Sequence, residues 1–415
     1  MKLPKGLKEK SASLNTSDNP PLTKKRSARR FVLPSLVISS FAIQPPGILT
    51  GLLLIDIGLT FGCSVGVTGQ IQTASSVVAV IFSLLMGALS VRFKHKSLLM
   101  TGLVFLTISA LGCSFASNFS MMLTSYAITG LVFATVTPMA NTLIGEHFPL
   151  EKRASAIGWV TAGGSLSYVI GAPVIGFIAG LGGWRSVFLG FVLPISILSL
   201  LITAKGLPST SRSRQPMMNK RNYLEGFKKI FSNTSATACM VGTALLMAGW
   251  QAIVLYGPSF FRQRFLVSTV FTSIIILGAA LCYTLGSLIS GQFVNRFGRK
   301  PLTVLATFLL SIFIVSYTNT PNLWLSMALF FLGCLFGGMS RTASYSLALE
   351  QLPRFRGTMM SINSAATFMG SALGAGVGGL ALLVYDYEFV GIALVVMSLA
   401  AAIFYYLLVI DPTRT

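Results

Sequence analysis

One arginine stands inside a long apolar run. Arg341 lies in LFFLGCLFGGMSRTASYSLAL, and it is the only Lys, Arg, Asp or Glu well inside any such run of this chain. A charge at bilayer depth costs about 2.5–3.5 kcal/mol on insertion scales, so such residues usually face a cavity. The bland alternatives are a hydrogen bond to a neighbouring helix or snorkelling to water, since the run ends near residue 348. Facing a cavity, the guanidinium would favour an anionic cargo or one rich in carboxyl and hydroxyl groups. Other reactive chemistry is thin. The five cysteines (Cys63, Cys113, Cys239, Cys282, Cys334) form no CxxC and suit small buried hydrophobes. His95 and His147 are the only histidines. No nucleophile–base pair, metal cluster or phosphate-cradling glycine loop is present, so neither an enzyme nor a metal or other cofactor is expected. None of the ten acids falls deep in an apolar run, and Asp56 in LLIDIG comes nearest. Among titratable groups, Asp56 or a loop carboxylate is the one that could take up a proton.

The elements that must position these residues are membrane helices. The chain has 415 residues, 53% of them hydrophobic and 10% charged, against about 25% charged in soluble domains. Its solvent is therefore the lipid bilayer. Spans need about 20 apolar residues. Twelve runs qualify, near 32–54, 66–90, 97–117, 120–144, 155–180, 184–204, 236–258, 268–292, 301–318, 322–348, 358–382 and 385–410. The net charge of +21 does not indicate nucleic acid, because the positive charge sits in short loops. With both termini in the cytosol, 27 of the 31 Lys and Arg residues fall on the cytosolic side, as the positive-inside rule requires. No apolar signal segment follows Met1 closely. Residues 1–30 are expected to be a disordered basic cytosolic tail. Residues 31–204 and 236–411 are expected to be two six-helix bundles. Residues 205–235 are expected to be a cytosolic linker whose NYLEGFKKIF stretch could form a surface helix.

Two basic turns tie the bundles together. GALSVRFKHK runs from Gly87 to Lys96, and GQFVNRFGRK runs from Gly291 to Lys300, 204 residues later. The same offset relates Arg92 to Arg296, Lys96 to Lys300, Glu146 to Glu350, Pro149 to Pro353 and Lys152 to Arg356. A repeat of this size in an apolar chain is a transporter signature.

These turns resemble the signature loop of the major facilitator superfamily, Gly-x-Leu-x-Asp-Arg-x-Gly-Arg-Lys, found after spans 2 and 8. Among its members the chain looks most like prokaryotic sugar- and drug-efflux permeases. The family Asp is Val91 in the first copy and Asn295 in the second, and the family Gly is Lys94 and then Gly298. With that Asp absent, Arg92 and Arg296 are expected to find Glu146 and Glu350 as partners. The resemblance implies a cytosolic gate built from Gly87, Arg92, Lys96, Glu146, Gly291, Asn295, Arg296, Gly298, Arg299 and Glu350. The alternative is that these turns only pin topology. Span 5 carries a partial match to the glycine-rich Gly-Pro motif of drug antiporters, with Ala172 before Pro173. Span 4 lacks the Arg of many proton-coupled exporters and offers Thr129, Thr135 and Thr137 near Gly130.

The resemblance also implies a cavity near the bilayer midplane, lined by spans 1, 4, 7 and 10 with help from 2, 5, 8 and 11. The candidates there are Arg341 with Tyr345 one turn on, Trp250, Gln251, Tyr256, Gln44, Thr137, Asn141, Tyr168 and Asn363. For each of these an interhelical hydrogen bond is the competing reading. Gln44 precedes Pro45 and Pro46, a pair that can mark a hinge. The expected fold is thus an all-α membrane protein of twelve helices in two pseudo-symmetric bundles. The expected function is secondary transport of a small organic solute across the cell membrane by rocking of the bundles, in the export direction. The alternatives are a sensor or regulator that kept the fold without transport, or a uniporter; if transport is coupled, Asp56 or a loop carboxylate takes a proton, or neutral ligands handle the ion. The lipid bilayer, the solute and candidate coupling protons are the expected partners, and the working unit is a monomer.

Overall fold

The computed structural model describes residues 22–208 and 220–412. Helices account for nearly all of it. The N-terminal half comprises α1 (Leu22–Ala42), α2 (Pro45–Leu52), α3 (Leu54–Phe61), α4 (Val65–Thr68), α5 (Gln70–Arg92), α6 (His95–Ser114), α7 (Phe119–His147), α8 (Leu150–Val187) and α9 (Leu193–Gly206). A short α10 (Lys220–Phe231) precedes the second half. That half comprises α11 (Thr234–Arg264), α12 (Thr269–Phe297), α13 (Arg299–Asn319), α14 (Leu323–Glu350), α15 (Arg356–Val384) and α16 (Tyr387–Leu407).

Among the described residues, eleven helical segments are long and apolar enough to cross a membrane. The longest, Ser155–Gly206, turns back at Gly183, whose φ of 75° is open to glycine without strain. It therefore holds two crossings, which makes twelve. Large apolar side chains such as Leu288, Leu380 and Val396 are exposed on the outside, as a lipid solvent allows and water would not.

The first crossing is assembled from pieces. Pro45 and Pro46 lack N–H donors, so α1 stops at Ala42 and α2 starts afresh with the proline pair in its first turn. The connection expected after residue 54 is instead helical. α3 continues through Asp56 and ends only at Gly62, which caps it with a left-handed φ of 64°. At the N-terminus, residues 22–30 begin α1 rather than belonging to a disordered tail; residues 1–21 lie outside the described residues. Of the linker, 209–219 lie outside the described residues, and α10 fills 220–231. Its Ile230 is buried, and the helix rests on α11 and α15.

The repeat is structural as well as sequential. Within the first half α1 packs on α8 and α9, and its counterpart α11 packs on α15 and α16. Helix caps follow the same offset. Ser64 Oγ accepts from Val67 N–H, and Ser268 Oγ accepts from Phe271 N–H. Asn118 Oδ1 accepts from Met121 N–H at 2.8 Å, and Asn322 Oδ1 accepts from Leu325 N–H at 3.1 Å. Each pair is 204 residues apart. Identical caps start matching helices in both halves because each cap satisfies an otherwise orphan backbone donor.

The helices alternate between two ends. The near end holds the start of α1 and the end of α16, and the far end lies opposite. The halves meet along α5–α15, α8–α12 and α2–α11.

Candidate functional site

The far-end contact between halves is made of glycine. A Cβ at Gly66 would sit 2.3 Å from the Gly379 carbonyl oxygen, so backbone lies against backbone there. Gly51 faces the Val254 carbonyl across α2 and α11, and Gly176 faces Ser273 across α8 and α12. Missing side chains let these helices approach closely. Beside this seam Arg262 of α11 forks onto Asp56 of α3. Its Nη2 donates to Oδ1 at 3.1 Å, its Nη1 donates to Oδ2, and Nη1 also reaches the Leu52 carbonyl at 3.3 Å. Asp56, the candidate coupling carboxylate, is therefore the N-terminal half's share of an ion pair that bridges the halves.

Below the seam lies a cavity of roughly 460 Å3, within the range of small-molecule sites. The first half contributes neutral polar groups: Ser40 and Gln44 at the α1–α2 break, Thr137 and Asn141 of α7, and Thr161, Ser165 and Tyr168 of α8. The helix break explains Gln44, whose side chain is turned toward α8 where Gly164 leaves room for its amide. The second half contributes Trp250 of α11, Tyr283 and Thr284 of α12, and Phe330, Cys334 and Arg341 of α14.

α14 lays out its groups by helical period. Phe330, Cys334 and Arg341 share a face with Gly337 between them. At Gly337 a Cβ would meet the Trp250 ring at 2.5 Å, so the indole occupies the space a side chain would take. The Trp250 ring in turn stacks on Tyr283, with centroids 4.7 Å apart and planes 28° apart. Arg341 comes one turn later. It is half-buried, and its Nη1 donates to Thr367 Oγ1 of α15 at 3.1 Å. Among the described residues, no carboxylate lines the cavity and Arg341 is its one charged wall group.

Six of the ten residues proposed for the cavity from sequence line it: Arg341, Trp250, Gln44, Thr137, Asn141 and Tyr168. Four do not. Tyr256 belongs to the far-end seam, where its Oη donates to the Ala375 carbonyl at 2.7 Å and its ring fills the space beside Gly69. Asn363 is buried inside the second half and accepts from Thr243 Oγ1 at 3.2 Å. Gln251 follows Trp250 by one residue, about 100° around the helix, and stays off the cavity wall. Tyr345, one turn beyond Arg341, is exposed outside the cavity. Tyr283, Thr284, Ser40, Thr161 and Ser165 were not singled out in the sequence.

The basic turns hold their own halves together. His95 Nδ1 meets Glu146 Oε1 at 2.6 Å, so Glu146, expected as a partner of Arg92, is engaged by the histidine of the same turn. In the second half, the matching Arg299 donates from Nε to Ser346 Oγ of α14 at 2.9 Å. Lys96 Nζ donates to the carbonyls of Ala204 and Leu207 at the end of α9. Its counterpart Lys300 donates its backbone N–H to the Asp411 carboxylate just past α16, at 3.4 Å. Gly87 and Arg92 end α5; Gly291, Asn295 and Arg296 lie in the last turns of α12, and Glu350 ends α14. Gly298 caps α12 with a φ of 99°, a backbone state that favours glycine.

Comparison with known proteins agrees with this architecture. The family model of the Major Facilitator Superfamily matches residues 32–282 and 239–415. The chain is 25% identical over 322 residues to the uncharacterized MFS-type transporter YceJ of Bacillus subtilis (strain 168), covering 77% of this chain and 81% of that protein. It is 28% identical over 204 residues to the purine ribonucleoside efflux pump NepI of Salmonella typhimurium, covering about half of each, at 49% and 50%. Its fold superposes on the D-xylose-proton symporter with a TM-score of 0.77 and 16% identity, over 92% of this chain and 98% of that one. The nucleoside transporter NupG gives a TM-score of 0.74 at 18% identity, over 90% and 99%. With twelve crossings in two repeated halves around a central cavity, the chain belongs to the major facilitator superfamily and is a membrane transporter of a small solute, not an enzyme.

Proposed function

We propose that the protein exports a small organic solute across the cell membrane by alternating access, with its near end and both termini in the cytosol. The observation that carries this reading is the position of the cavity. It lies between the halves, beneath a glycine seam and an Asp56–Arg262 pair that join them at the far end. The loop charge orients the near end toward the cytosol, so this conformation is the one that loads cargo from inside. The partial likeness to an efflux pump supports the outward direction. Rocking of the halves would part the seam, break the Asp56–Arg262 pair and bring the near ends of α7 and α14 together.

The coupling reading follows from the same pair. Parting of the far end would free the Asp56 carboxylate from Arg262, which makes it the candidate coupling group tied to that opening. Export from inverted vesicles, driven or not by an imposed proton gradient, tests both points. Solute uptake into the vesicles establishes export. Rates indifferent to the gradient identify a uniporter. The sensor alternative draws on the loss of the family Asp at Val91 and Asn295, and binding without flux in reconstituted vesicles would establish it.

A further inference from the structure

The cavity is graded along its depth. Phe330, Pro258, Val254 and Ile276 line its far part, the Trp250–Tyr283 stack its middle, and Arg341 its near part. We propose, resting on the reading of this cavity as the cargo chamber, that its cargo is a planar aromatic or heteroaromatic monoanion. Its ring lies against the Trp250–Tyr283 stack and its carboxylate meets Arg341.

Charge comes first. A guanidinium carries five N–H donors, and among the described residues Arg341 gives one side-chain hydrogen bond, to Thr367. Threonine is neutral, so the positive charge is left without a counter-ion, and no carboxylate lines the wall. A bound anion removes that deficit, whereas a cation would add to it. A bidentate carboxylate fits the planar fork of arginine.

Shape comes second. Trp250 is fixed on one side by Tyr283 and along one edge by Gly337, so it presents a rigid aromatic surface. Flat rings gain from offset stacking on such a surface, and saturated rings do not. Gly337 and Arg341 are four residues apart on one face of α14. The stack and the backbone that carries the cation are therefore about one helical turn apart on one face. That arrangement suits an aryl ring that carries its carboxylate on a short arm. The apolar far part disfavours a polyhydroxylated sugar, whose hydroxyls would lose water there without replacement. Gln44, Asn141 and Thr137 supply neutral hydrogen bonds around the ring edge.

Calorimetric titration of the purified full-length protein in detergent tests this. The probes are indole-3-acetate, indole-3-acetamide, tryptamine, cyclohexylacetate and guanosine. Indole-3-acetate is expected to bind at least about tenfold more tightly than each of the others, the margin of one charge-assisted contact or one aromatic stack. Arg341→Gln should erase the preference for the acetate over the acetamide. Trp250→Leu should erase the preference for indole-3-acetate over cyclohexylacetate. Should either variant aggregate, the five-probe ranking on wild-type protein still decides. Tryptamine or guanosine binding as tightly as indole-3-acetate would overturn the proposal, as would no binding of indole-3-acetate at all. Counterflow in proteoliposomes keeps the two readings apart. Guanosine flux with no anion binding sinks the cargo class and leaves transport standing. Anion binding with no flux of any probe sinks transport and leaves the cavity as a binding site for the same class of ligand.

Discussion

Thr137 and Arg341 occupy the same position in the two halves, 204 residues apart, and both line the cavity. One is a small neutral hydroxyl and the other the cavity's one charged wall group among the described residues. The same inequality runs through the rest of the wall. Small neutral groups dominate the first half's share, with Tyr168 its one aromatic ring. Trp250, Tyr283, Phe330 and Arg341 come from the second half. Meanwhile the caps and the helix neighbours repeat closely. A duplicated scaffold has thus kept its symmetry where helices must start and pack. It has lost that symmetry where a solute must be gripped in one orientation.

The strongest way to break this comparison is to move the charge. Arg341→Gln should weaken indole-3-acetate binding by about 30-fold, from loss of a charged hydrogen-bonding partner, as read by calorimetry. Adding Thr137→Arg in that background should restore less than a tenth of the lost affinity, because the aromatic stack stays on the other half. Full restoration would show the halves to be interchangeable. Next in size is the seam. Gly66→Val places carbon where the Gly379 carbonyl lies, so the far end cannot close. Cysteine pairs introduced across α4 and α15 should cross-link several-fold less in this variant than in its parent.

Arg262→Gln removes one bridge and leaves the glycine contacts. The far-end-closed population should fall by about tenfold, given about 1–2 kcal/mol for a half-buried forked pair, as measured by spin-label distances. The smallest effect is expected at the basic turn. His95→Ala or Glu146→Gln should lower thermal stability by about 1 kcal/mol, the net worth of a typical hydrogen bond, and leave binding within twofold. A large loss of flux in Glu146→Gln with stability intact would revive the gate expected from sequence.

Much of this was legible before any coordinates. Arg341 stood out because a lone charge is conspicuous in an apolar run, and Gln44 because two prolines follow it. The 204-residue offset pointed to the duplication, and it reached further than first read, to Ser64 with Ser268 and Asn118 with Asn322. What failed was the choice of helix face. Membrane helices such as α11 are apolar nearly all round, so no amphipathic period tells which side turns inward. Tyr256 and Trp250 share α11, yet one fills the seam and the other faces the cavity. Tyr283 was missed for the related reason that its role comes from Trp250 across the helix interface. At Glu146 the neighbour that mattered was His95, one residue before Lys96, which meets its carboxylate and which the repeat offset does not single out.

The far-end closure joins two materials with different habits. Main chain pressed on main chain at Gly66 and Gly379 has no net charge, so neither salt nor acidity alters how well it fits. The carboxylate–guanidinium fork beside it does respond to salt. Raising ionic strength would loosen the bolt and leave the fit of the two backbones as it is. A membrane potential acts on the two charges of the fork and not on the uncharged glycine contact beside it.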